Sequence, residues 1–72
     1  MNKKMTNVEK YYDIMNRYKS GEFGNTENLT MHEIFERAGE PDLFNKMTKS
    51  QLELLRNIST GKTRSFLNSL IN

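Results

Sequence analysis

Three times in 72 residues a threonine is followed three positions later by a glutamate or glutamine: Thr6 and Glu9, Thr30 and Glu33, Thr48 and Gln51. This spacing is a capping box. The threonine hydroxyl accepts from an orphan backbone N–H of the first helical turn, and the longer side chain reaches back to the N–H of the cap itself. Leu29 before the second cap pairs with Ile34, and Met47 before the third with Leu52, each at the spacing of a hydrophobic staple. No run alternates with period two over a useful length. The chain is therefore expected to fold as a compact all-α domain of four to five helices.

The apolar periodicity fills in the helices. Val8, Tyr11, Tyr12, Met15 and Tyr18, widened by Ile14, predict a first helix from about Asn7 to Lys19. Gly21 and Gly24 break it, and residues 22–28 read as a polar connection. A second helix over 31–38 would bury Met31, Ile34, Phe35 and Ala38, with Gly39 as its C-terminal cap. Pro41 suits the first turn of a short third helix carrying Leu43, Phe44 and Met47. A fourth helix over 49–58 places Leu52, Leu55 and Ile58 on one face, with Leu54 beside them. After Ser59-Thr60-Gly61 a fifth would bury Phe66, Leu67, Leu70 and Ile71. Residues 1–72 form one domain, with residues 1–5 as an arm ahead of it.

A chain of this length buries only roughly 60% of its unfolded surface, so its stability is expected to be on the order of a few kcal/mol. It has no cysteine to supply a disulfide, which suits a reducing cytoplasm. The opening MNKKMTNVEK has charge without an apolar run, unlike a signal peptide, and no stretch approaches the roughly 18 apolar residues of a membrane span. A soluble cytoplasmic protein without membrane association is the expectation.

Charge is sorted along the chain. Residues 1–20 set Lys3, Lys4, Lys10, Arg17 and Lys19 against Glu9 and Asp13, a balance of +3. Residues 21–47 set Arg37 and Lys46 against Glu22, Glu27, Glu33, Glu36, Glu40 and Asp42, a balance of −4. Residues 48–72 set Lys49, Arg56, Lys62 and Arg64 against Glu53, a balance of +3. A central acidic stretch repels phosphate and attracts a basic protein face.

The residues for catalysis are sparse. His32 is the only histidine, so any hydroxyl or thiol nucleophile would depend on it. His32-Glu33 followed by Glu36 lacks the second histidine of a zinc-protease helix. His32 reads instead as an exposed or capping residue. Thr60-Gly61-Lys62-Thr63 resembles the end of a phosphate-binding loop, but Arg56 stands where that motif needs its first glycine and no strand precedes it. Nothing points to an enzyme, a metal, a cofactor or a small-molecule substrate. Tyr11, Tyr12 and Tyr18, among Lys10, Arg17 and Lys19, have the composition of a nucleic-acid surface. The same tyrosines match the period of a buried stripe, which is the plainer reading. The five methionines likewise read as core filler.

Leu29 to Phe44 reads as helix, glycine turn, short helix, the order of a helix-turn-helix unit. Its reading helix would be Pro41 to Met47, which offers Lys46 against Asp42, with Glu40 at its start. Carboxylates there oppose phosphate. In size, helix order and the segment LTMHEIFERAG followed by Leu43-Phe44, the chain resembles the small Cro-like and antirepressor proteins of temperate phages of low-GC Gram-positive bacteria, the lactococcal-type modulators of repression among them. The resemblance implies a transcription regulator in a lysis–lysogeny switch that binds a CI-type repressor and blocks its DNA-binding face. Glu33, Glu36, Glu40 and Asp42 are the expected partner-binding charges, with Phe44 or Met47 as apolar anchor. The alternative is a Cro-like DNA binder, as a homodimer, using Lys49, Arg56, Lys62 and Arg64 with Lys3 and Lys4 as a basic arm. A further alternative is an acidic inhibitor of a host nucleic-acid enzyme.

Overall fold

A computed structural model of the chain describes residues 4–72. Among them are four α-helices and no strand: α1 (Asn7–Lys19), α2 (Met31–Arg37), α3 (Lys49–Ile58) and α4 (Gly61–Ile71). All three predicted capping boxes close. Thr6 N–H donates to Glu9 at 2.8 Å, Thr30 N–H to Glu33 at 2.9 Å, and Thr48 N–H to Gln51 at 2.9 Å. Each threonine hydroxyl accepts in return from the backbone N–H three residues on. The helix ends are set as sharply. Gly39 takes φ +86°, which lets Glu40 N–H reach back to the Phe35 carbonyl at 2.9 Å, and Gly21 at φ +83° does the same for Glu22 and Arg17. No helix among the described residues is long and apolar enough to cross a membrane.

The predicted third helix is a correction. Between Pro41 and Met47 only a single 3-10 turn forms, Phe44–Lys46, with Asn45, Lys46 and Met47 N–H each bonding three residues back. Gly39 ends α2 on one side, and on the other Met47 must be extended (ψ 147°) to deliver Thr48 as a cap. The residues left between cannot offset the cost of nucleating an α-helix. They fold as a plug instead: Leu43, Phe44 and Met47 are all buried.

That plug completes one core. Tyr11, Ile14 and Met15 come from α1, Met31, Ile34 and Phe35 from α2, Leu52 and Leu55 from α3, and Leu67 from α4. Aromatic rings link its parts, with Phe35 4.7 Å from Phe44 and Phe44 5.1 Å from Phe66. Three residues expected in the core lie outside it: Tyr12 is 45% exposed, Ile58 54% and Leu70 41%. A helix turns about 100° per residue. Tyr12 therefore sits a quarter turn off the Tyr11–Met15–Tyr18 stripe, and Ser59, rather than Ile58, falls between the directions of Leu52 and Leu55.

Candidate nucleic-acid interface

The acidic residues expected to meet a protein partner are divided among different tasks. Glu33 is committed to its capping box; the Thr30 backbone N–H, then its side chain, hold the carboxyl below the usual range. Glu40 lies 3.6 Å from Lys10 on α1, and both side chains are about 70% shielded. Glu36 and Asp42 are exposed and form no ion pair among the described residues. Phe44 and Met47, the expected apolar anchors, are each only 8% exposed, so neither is free to enter a partner.

The basic residues fall differently. Lys3 lies outside the described residues. Lys4 is exposed ahead of α1, and Lys49 is exposed on the first turn of α3. Arg56, Lys62 and Arg64 lie close to or on α4, and none of them pairs with a carboxylate among the described residues. Arg56 reaches across from α3 to the Asn68 amide oxygen at 3.4 Å and to Asn57 at 3.3 Å, while its Nε is buried without a partner. Its guanidinium is thus fixed in place but not neutralised. Among the described residues the Lys62 ammonium donates to the Thr26 carbonyl, at 3.3 Å, and Arg64 is exposed.

What aims α4 is the turn before it. Ser59 and Thr60 are extended, and Gly61 has φ +59°, a left-handed conformation that a side chain disfavours. The turn is tied to α1 because the Tyr11 hydroxyl lies 2.9 Å from Ser59 Oγ, which in turn lies 2.6 Å from the Leu55 carbonyl. Thr63 and Leu67 point inward, so Lys62, Arg64, Ser65 and Ser69 make up the outer face of α4. The helix contains no Asp or Glu. Thr63, the last residue of the phosphate-loop-like string, is buried with its hydroxyl on Met31 Sδ at 3.7 Å, turned away from any ligand.

Sequence reasoning undervalued two residues of α1. Tyr12 and Lys19 line a cleft of about 280 Å³ together with Asn16, Ser59, Thr60 and Lys62. Lys10 and Arg17, beside them in sequence, are taken up by Glu40, Asp13 and Glu22. The signal was the single-residue offset of Tyr12 from the core stripe. Among the described residues no group of three or more His, Cys, Asp or Glu side chains comes together as a metal site, and His32 is exposed.

Compared with known proteins, the chain matches no family model, no curated protein and no solved structure.

Proposed function

We propose that this chain is a small, non-enzymatic transcription regulator that presents α4 to duplex DNA. The observation that carries it is the α3–α4 pair: two helices joined by the two-residue turn Ser59–Thr60, with Gly61 at positive φ opening the second, which holds Lys62 and Arg64 and no carboxylate. A helix-turn-helix unit joins its helices by a short turn that often contains glycine, and the N-terminal residues of the second helix meet the groove. In this reading the unit spans 49–71 rather than 29–47, where the second helix does not form. Lys62 and Arg64 supply phosphate or base-edge contacts, Ser65 adds a donor, and Arg56 is a fixed cation at the flank. A role in a phage genetic switch, implied by the sequence resemblance, is compatible with this.

The test is fluorescence anisotropy with a labelled duplex at about 50 and 200 mM salt. Each phosphate contact contributes about 0.9 to the slope of log affinity against log salt, so Lys62→Gln with Arg64→Gln should lower that slope by about 1.8. Equal affinity for wild type and double variant would remove α4 from the interface.

Binding to a repressor remains a second proposal, supported by the exposed carboxylates of Glu36 and Asp42, which form no ion pair among the described residues. Reversing both to lysine should slow association with a basic DNA-binding domain at low salt. An unchanged association rate would discard it.

A further inference from the structure

The cleft between α1 and the α3–α4 turn is lined by two lysines and by no carboxylate. Lys19 has no ion-pair or hydrogen-bond partner among the described residues, and Lys62 has only one neutral carbonyl. Lys62 also borders a second depression that contains Glu27, and it rests its ammonium on the Thr26 carbonyl. A phosphate in the first cleft meets Lys19 directly and Lys62 on a change of rotamer, and an anion between two such cations turns their mutual repulsion into attraction. The wall beside them is apolar and unusually bare. Tyr12 and Ile58, which both line the cleft, are 45% and 54% exposed. A bare phosphate has no use for such a wall. A nucleotide of a duplex does, because its deoxyribose carries apolar C–H groups next to the phosphate. Asn16 and Thr60 add neutral polar groups along the same rim.

Lys62 belongs to this cleft and to the outer face of α4, so the two surfaces are continuous. We infer that the cleft seats one nucleotide unit of the duplex strand bound along α4, its phosphodiester between Lys19 and Lys62 and its sugar against Tyr12. This rests on the proposed DNA-binding role and extends the contact surface from one helix to two. It makes α1 a backbone clamp that fixes the register of α4.

The experiment compares wild type with Lys19→Gln, Tyr12→Ala, Arg64→Gln and Lys46→Gln on the labelled duplex across the same salt range. Lys46 is exposed on the 3-10 turn, where its carbonyl accepts from Asn7 at the opposite end of α1 from Lys19. Lys19→Gln should lower the salt slope by about 0.9, equivalent to roughly 3.5-fold less loss of affinity over a fourfold rise in salt. Tyr12→Ala should weaken binding by about fourfold or more, as expected for losing apolar contact with one sugar, and Lys46→Gln should bind as wild type. Thermal melts of each variant separate lost binding from lost folding. Duplex binding that depends on Lys62 and Arg64 but ignores Lys19 and Tyr12 would overturn the cleft and leave α4 standing. Dependence on Lys19 and Tyr12 but not on Arg64 would do the reverse. A wild type that binds no duplex at either salt would overturn both.

Discussion

Tyr11 and Ser59 hold α1 against the turn that aims α4, and their hydrogen-bond directions follow from proton counting. A carbonyl cannot donate, so the single Ser59 hydroxyl proton must go to the Leu55 carbonyl at 2.6 Å. Tyr11 is then the donor to Ser59 Oγ at 2.9 Å. Tyr11→Phe removes one neutral hydrogen bond while Ser59 still donates to Leu55, a cost of about 1 kcal/mol. Ser59→Ala leaves the Tyr11 hydroxyl without its acceptor on a residue only 3% exposed, which costs about 1–3 kcal/mol. The double variant removes both partners, so it should cost less than the sum of the singles, with a coupling of about 1 kcal/mol. Urea unfolding followed by circular dichroism reads this directly: for a small domain about 1 kcal/mol moves the midpoint by roughly 1 M. Strictly additive single variants would show that the chain of hydrogen bonds does not hold the turn. A second readout comes from pH. Burial raises the Tyr11 pKa above its ordinary 10.0. The folded-state pKa therefore exceeds the unfolded one, so this contribution is complete below about pH 10 and is lost as pH rises through the folded value. Tyr11→Phe should abolish that share of the alkaline loss.

Phe44→Ala empties a site between Phe35 and Phe66 and should cost about 3–5 kcal/mol. That is comparable with the whole stability of so small a domain, so far-UV circular dichroism should show a largely unfolded chain; a variant as helical and as stable as wild type would mean that Phe44 is a surface anchor after all. At Gly61 an added Cβ meets nothing within 4 Å, so the cost of Gly61→Ala is purely conformational, about 1–2 kcal/mol before a partial offset from the stiffer unfolded chain. Its melting temperature should fall by several degrees, and less for Gly61→Asn, which tolerates positive φ; equal melts for both would contradict the φ of +59°. The Glu33 pKa is lowered by Thr30 from the ordinary 4.5, so its contribution is complete above that value and is lost as pH falls through the folded one. Melting temperatures followed from about pH 6 to pH 3 should drop less steeply for Glu33→Gln than for wild type.

The helix starts were legible because a capping box is a local device: a threonine and a glutamate three apart decide the geometry with little reference to the rest of the chain. Residues 41–47 show the limit of that. Pro41 is a good first-turn residue and Leu43, Phe44 and Met47 suit a buried face, but whether they wind into an α-helix depends on how much chain separates Gly39 from Thr48. The answer was a 3-10 turn, and the helix-turn-helix reading placed there lost its second helix. Position within a stripe was equally coarse. Tyr12 beside Tyr11, and Ile58 beside Ser59, differ by one residue and hence about 100° of rotation. That is enough to move a ring from the core to the rim of a cleft.

Charge blocks in a sequence are also a poor guide to charge on a surface, because blocks can neutralise one another once folded. Lys10 and Arg17 from the first block meet Glu40 and Glu22 from the second. Counting those two pairs as neutral takes the first block from +3 to +1 and the second from −4 to −2. The third block has no such partner: Lys49, Arg56, Lys62 and Arg64 make no ion pair among the described residues, and its balance stays at +3. The acidic stretch that dominates the linear pattern thus becomes the more muted feature of the folded molecule. The C-terminal third, residues 48–72, keeps the largest net charge of the three blocks. Under the proposed function an anionic partner drawn by that charge would meet α4 first, and Lys19, the cation of α1 without an ion pair among the described residues, lines the cleft beside it.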